Sequence, residues 1–317
     1  MTIIMPTYER ARFIGLAIES ALAQTYTDFV LSIGDNSSTS ETEAVVRRYD
    51  DPRVTYTRHP CNLGPLGNWL ELIRGANTPF VATLHDDDMW HADLLEKLVL
   101  PLIDDPSIAM SFGDFWLVDE RGGRLHNLSA NLSRRTRRDS LPAGRMQPSR
   151  GDGVRLAAVW NAPNPAICAV MRRDAILACD YPDDVAQLYD IWTDYQLVRQ
   201  GAALYYVPER LSDYRWHGGS WTSAGFARSE DAVFERIIAE NPDQESVLAE
   251  VRRYWASIRW GRAVRHMRTG SRAESQSEFL SAQPHLPTTK QWLATAAGRS
   301  ALAWHALRRV QGVSSHG

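Results

Sequence analysis

The chain has 317 residues, 44% of them hydrophobic and 23% charged, the balance of a globular protein long enough to bury its own core. A formal net charge of −3 leaves no electrostatic case for bulk nucleic-acid binding. Cys61, Cys168 and Cys179 are an odd number without metal-ligand spacing, which argues against a disulfide framework and fits a reducing cytoplasm. The opening MTIIMPTY lacks the basic stretch of a secretory signal, and no segment approaches the ~20 apolar residues of a membrane span. A cytoplasmic protein of about two units is the expectation.

In chain order, residues 2–5 form a short β-type run. Over 12–24, Phe13, Leu16, Ala17, Ser20 and Ala21 recur at helical spacing. Residues 29–33 read as a second strand and 40–49 as a second helix. A third strand covers 54–56, followed by a Gly-rich loop and a helix over 66–75. A fourth strand, 80–84, runs into His85-Asp86-Asp87-Asp88 and a helix over 92–100. Strands alternating with helices predict an α/β fold with a doubly wound, mostly parallel sheet. Ligands in such sheets bind beyond the carboxyl ends of the strands. Tyr8, Asp35, Asn62 and the Asp run all fall at those ends.

The segment 124–153 is rich in Arg, Ser, Pro and Gly, is weakly periodic, and reads as a long mobile loop. Helical and strand patterns resume at 154–160 and 166–171. Residues 228–283 are helical in character, and 290–310 form a last amphipathic helix carrying Trp292 and Trp304 with several arginines.

The sharpest chemical feature is Asp86-Asp87-Asp88. Adjacent carboxylates at a buried strand end repel one another unless a cation neutralises them. Hard divalent cations take such oxygens and bridge to diphosphates. An isolated Asp triplet is more simply a solvated turn that caps a helix. Its place after the apolar FVATL strand and before Met89-Trp90 points instead to a metal site.

Four motifs in order, MPTYERARFIGLAIESALAQTY, DNSS, NLGPLGNW and LHDDDMWHADLLEKL, resemble the start of the inverting glycosyltransferase family 2, which has the GT-A fold. The likeness is close over residues 1–120 and looser to 222. It implies a catalytic domain over 1–222, with a nucleotide-sugar half (1–120) and an acceptor and base half (121–222), then a helical region over 223–317. It implies a base pocket of Pro6, Thr7, Tyr8 and Asp35, with Asn62, Gly64 and Asn68 as a third donor loop. The arginine that many members carry near Asn68 is missing. Aligned on Trp90, Asp87 takes the place of the principal ligand of a divalent cation (Mn2+ or Mg2+), assisted by Asp86 and Asp88. His85 stands where the family has its first Asp, toward the donor ribose, with Asp86 near the ribose or the metal.

DIWTDYQLVRQGA resembles the helix carrying the family's catalytic carboxylate. Thr193 replaces the usual Glu and Asp194 matches the Asp, so Asp194 is the implied general base. Asp190, four residues earlier on the same helix face, is the alternative. YRWHGGSWT resembles the segment that approaches the diphosphate: Arg215 toward phosphate, His217 toward metal or phosphate, and Gly218 and Gly219 allowing the loop to close. Trp160, Asn161 and Asn164, with Pro163 and Pro165, border the acceptor side.

The resulting expectation is a metal-dependent inverting transfer from a UDP- or dTDP-type sugar to a polysaccharide, glycolipid or small natural product. A sugar-nucleotide nucleotidyltransferase and a non-catalytic sugar-nucleotide-binding module are the alternatives. The first lacks its Gly-rich phosphate loop, and the second is disfavoured by Asp194 and the Asp run. The terminal helix has two readings, a peripheral contact with an anionic inner-membrane face or packing on the catalytic domain or a second subunit of a homodimer. Packing is the simpler one.

Overall fold

Strand β1 (Thr2–Thr7) is buried along its length except at Pro6, because parallel neighbours flank it on both sides. The computed structural model describes residues 1–217 and 227–310. The strands that follow are β2 (Val30–Asp35), β3 (Val54–Arg58), β4 (Phe80–Thr83), β5 (Met89–Trp90), β6 (Ile108–Val118), β7 (Gly144–Met146), β8 (Ala169–Arg172) and β9 (Ala203–Arg215). Among the described residues they form one sheet, ordered β3-β2-β1-β4-β8-β6-β9-β5, with β7 also on β9.

The first half of the sheet, β3-β2-β1-β4, is parallel. Strand β8 then pairs antiparallel with both β4 and β6, and β6 and β9 run parallel. The chain winds outward from β1 through β2 to β3, then returns to place β4 on the other side of β1. That reversal opens a crevice beyond the carboxyl ends of β1 and β4. Thr7 ends β1 and His85–Asp88 follow β4, so the polar clusters of the first strands converge at the switch point.

Helices cover the sheet. They are α1 (Ile14–Leu22), α2 (Glu41–Val46), α3 (Gly64–Gly75), α4 (Leu94–Asp104), α5 (His126–Arg135), α6 (Arg150–Val154), α7 (Arg173–Leu177) and α8 (Tyr189–Arg199), with a π-helical turn at Arg155–Trp160. Helix α1 buries Ile14, Ala17, Ile18 and Ala21, a single stripe at i, i+3, i+4 and i+7. Helix α3 enters through Gly64 at φ 72°, a left-handed conformation that glycine takes without strain, and Pro65 stands in its first turn.

The segment expected to be an open loop over 124–153 instead contains α5 and β7. Its inward face is polar, which hid it from a reading based on apolar periodicity. Ser129 Oγ accepts from Leu117 N and donates to Leu125 O, Ser133 Oγ donates to Asp114 Oδ2, and Arg138 is buried.

The chain divides into two units, Met1–Val233 and Phe234–Gly317, so the boundary lies inside helix α9 (Ala227–Glu240), later than position 222. The second unit contains α10 (Glu245–Thr269), α11 (Arg272–Ala282), α12 (Thr288–Arg299) and α13 (Ala301–Val310). Its core gathers Ala256, Ala263, Met267, Phe279, Ala294 and Trp304. Trp304 Nε1 donates to Ser275 Oγ at 2.9 Å. The single helix expected over 290–310 is two helices. Ser300 is extended between them, and its Oγ accepts from Ala303 N to start α13. Trp304 is enclosed whereas Trp292 is 72% exposed. No helix among the described residues is long and apolar enough to cross a membrane.

Candidate active site

The acid run sits where β4 ends, and its three carboxylates face different partners. Asp86 Oδ2 accepts from Thr7 Oγ1 at 2.5 Å, across the switch point. Asp88 Oδ1 accepts from Arg215 N at 2.8 Å, while its Oδ2 is buried with no hydrogen-bond partner among the described residues. Asp87 Oδ2 accepts from His217 Nε2 at 3.0 Å. Ligand atoms of His85, Asp87 and Asp88 all lie within 4.8 Å of one another.

This geometry regroups the expected ligands. His85 joins the potential metal set, and its Nε2 lies 3.2 Å from Tyr189 Oη. Asp86 turns away to Thr7, with Arg10 Nε 3.7 Å from its other oxygen. His217 supports Asp87 from behind and is not one of the three grouped ligands.

Burial penalises charge on Asp86 and Asp88. It pushes the Asp86 carboxyl up to about 8, with the neighbouring Asp87 charge adding to it. Burial first, and Asp87 next, holds Asp88 well above the usual carboxylate range. Burial also lowers the His85 imidazole, keeping its lone pair available. A neutral imidazole and two carboxylates, one of them with a buried oxygen that has no partner among the described residues, suit a divalent cation. Such an ion would offset the burial penalty and the repulsion that raise Asp86 and Asp88.

Beside the run lies an open cleft of about 500 Å³ lined by Tyr8, Asn36, Ser37, Ser38, Arg58, His59, Pro60, Cys61 and Asn62. Tyr8 is half-exposed there, as a stacking residue must be. Pro6 lies within β1, and Asn62 Oδ1 accepts from Gly64 N at 2.8 Å, fixing the entry to α3.

Asp35 and Asn68 do not line this cleft. Asp35 is fully buried, and its oxygens accept from Ser37 N and Tyr56 Oη at 2.7 and 2.6 Å. It shapes the wall from beneath, through Ser37. Asn68 is also buried, donating to Gly34 O and meeting His59 Nε2 with Oδ1. Both residues hold β2 and β3 in register for the cleft.

Arg215 is a second departure. Its buried guanidinium donates Nε to Asp87 O at 2.8 Å and Nη1 to the carbonyls of Asp119 and Glu120 at 3.2 and 3.1 Å. It is thus committed to clamping the acid turn. The cation that does approach the acid run from the β1 side is Arg10, 3.7 Å from Asp86 and 3.9 Å from Asp87. Its sequence signal was its place in the loop leaving β1 at the switch point.

Asp194 lies on α8, wholly enclosed, and neither oxygen has a hydrogen-bond partner among the described residues. Burial, and then the charge of Asp190, holds its carboxyl well above the usual range. Burial raises Asp190 as well. The π-helical turn Arg155–Trp160 packs against α8. It ends at Asn161, whose φ of 48° is left-handed and whose Oδ1 is buried without a partner among the described residues. Asn164 Oδ1 accepts from Ala166 N at 3.2 Å. Gly218 and Gly219 lie outside the described residues.

The profile of the Glycosyl transferase family 2 matches residues 2–176, more than half of the chain. This chain belongs to glycosyl transferase family 2. Over 119 residues the family 2 chain is 28% identical to the Escherichia coli UDP-Glc:alpha-D-GlcNAc-diphosphoundecaprenol beta-1,3-glucosyltransferase WfgD, covering 38% of this chain and 47% of that one. It is 32% identical over 102 residues to the GalNAc(5)-diNAcBac-PP-undecaprenol beta-1,3-glucosyltransferase of Campylobacter jejuni, covering 31% and 33%. These matches span less than half the length of those relatives. Among solved structures, S. aureus TarS 1-349 in complex with UDP-GlcNAc superposes with TM-score 0.64 at 13% identity, covering 98% of this chain and 91% of that one. The mannosyltransferase PcManGT from Pyrobaculum calidifontis, in complex with GDP-Man and Mn2+, gives 0.58 at 16% identity, covering 98% and 82%. These two share the family 2 chain's fold.

Proposed function

We propose that this chain transfers a sugar from a UDP-type nucleotide sugar to an acceptor hydroxyl, in one displacement with inversion, assisted by a divalent cation. The observation that carries this is the trio His85, Asp87 and Asp88, with an unpartnered buried oxygen, set beside the Tyr8 cleft at the switch point. In this reading Tyr8 stacks on the base, with Pro6, Thr7 and Asn62 shaping the loops around it. Asp35 holds that wall through Ser37. His85, Asp87 and Asp88 hold the cation, with Asp86 and His217 supporting them. When bound, the ion neutralises charge developing on the departing diphosphate.

Arg10 adds a fixed positive charge on the same side. Asp194 receives the acceptor proton as the hydroxyl oxygen bonds to the anomeric carbon and the bond from that carbon to the diphosphate breaks. A carboxyl raised by burial accepts a proton readily once it has been ionised. Trp160, Asn161, Asn164 and Asp190 border the acceptor.

Two relatives whose names give diphosphoundecaprenol acceptors support a saccharide carried on a lipid diphosphate as the acceptor class. Exposed Trp292 on α12 would then allow peripheral contact with a cytoplasmic membrane face. The test is a panel of nucleotide sugars read by thermal shift with and without Mn2+. A UDP-sugar should raise the melting temperature only with the metal, and Asp88→Asn should abolish that increment. A shift that is independent of metal and survives Asp88→Asn sinks the proposal. Release of pyrophosphate in place of UDP would point to a nucleotidyltransferase.

A further inference from the structure

Between α5 and β7, inside the segment that reads as a loop, Arg138 is buried, its side chain 1% exposed. A guanidinium is rarely enclosed without several acceptors. Nε donates to Ala162 O at 2.7 Å, and Nη2 reaches Asn161 O at 3.5 Å. The guanidinium carbon lies 4.6 Å from the Phe115 ring centroid. The Arg138 carbonyl in turn accepts from Tyr206 Oη at 2.9 Å. Arg138 therefore ties the turn that ends the π-helical segment, where Asn161 is left-handed, to strands β6 and β9.

Nη1 is buried without a hydrogen-bond partner among the described residues. Asp114 is 3.8 Å away and is already shared with Ser133, Phe115 N and Arg210. On α8, against which the π-helical turn packs, Asp194 has two oxygens without hydrogen-bond partners among the described residues. Arg138 and Asp194 are thus both enclosed, and each has a polar atom without a hydrogen-bond partner among the described residues.

We propose that Arg138 is a positioning residue for transfer: it pins the Asn161–Ala162 turn against which the acceptor rests and supplies the positive charge that keeps Asp194 available as a base. The proposal rests on Asp194 being that base. The charges acting on Asp194 are Asp190 on its own helix, which disfavours ionisation, and Arg138, which favours it; Tyr181 also feels the Asp194 charge. Other elements packed on α8 carry charges too. Arg155 of the π-turn pairs with Asp152 of α6 at 3.0 Å, and Arg173 with Asp174 of α7 at 3.6 Å. Arg150 lies at the start of α6.

The test is the pH profile of kcat/KM for the acceptor at saturating donor and metal. In Arg138→Gln the neutral amide still donates to the turn, but the charge is lost. Its acid limb should move up by about one pH unit, roughly tenfold slower at any pH below the limb. Arg138→Lys keeps the charge but not the fork. Its limb should stay in place while the acceptor KM rises several-fold. An Arg138→Gln limb coincident with wild type, or an Arg138→Lys acceptor KM unchanged, overturns the proposal. If Arg138→Gln does not fold, Arg138→Met serves as the neutral variant in the same pH profile. Asp194→Asn run beside them separates failures. Normal turnover in that variant removes the base assignment itself, whereas an inactive Asp194→Asn with an unmoved Arg138→Gln limb removes only the role of Arg138.

Discussion

Replacing Asp86 by Asn should stabilise the metal-free protein, and the gain should depend on pH in a defined direction. Burial raises the Asp86 carboxyl from an ordinary 3.8 to about 8 in the folded chain. The folded state therefore retains a proton that the unfolded state releases. For a carboxyl raised in this way, stability is intact below the unfolded value and falls as pH climbs from about 4 toward about 8. At pH 7 the gap above 3.8 is about three pH units, and at about 1.36 kcal/mol per unit this limits the loss to about 4 kcal/mol. Relaxation and water entry reduce that figure, so about 2–4 kcal/mol is expected.

Asparagine is neutral in both states and can still accept from Thr7 Oγ1, so Asp86→Asn should recover most of the loss at pH 7. For a domain of this size that corresponds to a melting temperature higher by on the order of 10 °C. At pH 4 the unfolded carboxyl is itself partly protonated, and the advantage should shrink below about 1 kcal/mol. The assay is thermal unfolding by circular dichroism in chelator at pH 4, 5.5 and 7. An equal shift at pH 4 and pH 7, or none at pH 7, would refute the assignment of a buried, protonated Asp86.

Asp194→Asn should leave nucleotide-sugar affinity unchanged while lowering turnover about 10²–10⁴-fold, measured by UDP release against thermal-shift binding. Arg215→Met removes donors from the carbonyls of Asp87, Asp119 and Glu120, and should cost about 3 kcal/mol in urea denaturation, because three hydrogen bonds from a buried guanidinium are lost. Trp304→Ala opens a cavity in the second unit's core and loses the bond to Ser275. Hydrogen exchange should speed up in α11 and α13 with a loss of about 3–5 kcal/mol, while β1 keeps its protection.

The first four strands and their helices were legible because their signals are local. The β1 run, the α1 stripe and the apolar spacing of α3 from Leu66 each declare themselves within one element. The segment containing α5 was not legible, because its inward side chains are Ser129 and Ser133. Their partners, Leu117 and Asp114, lie on β6. The break at Ser300 was hidden for a related reason, since residues on both sides of it have helical character. Long strands β6 and β9 escaped notice because their pairing runs between residues about a hundred positions apart.

The sequence alone therefore determined the order of the first four strands with their helices and the placing of acids at strand ends, since hydrophobic period and strand length act within a few residues. Tertiary structure decided which atoms of those acids remain for a ligand. Asp35, Asn68 and Arg215 were plausible donor contacts by type and position, yet packing committed them to internal hydrogen bonds. His85 and Asp88 came together with Asp87 through the turn after β4, and Arg138 was carried beside the Asn161–Ala162 turn by a helix that local periodicity conceals. A side chain's type fixes what it can bond to. Only the chain's path through space fixes whether that capacity is already spent.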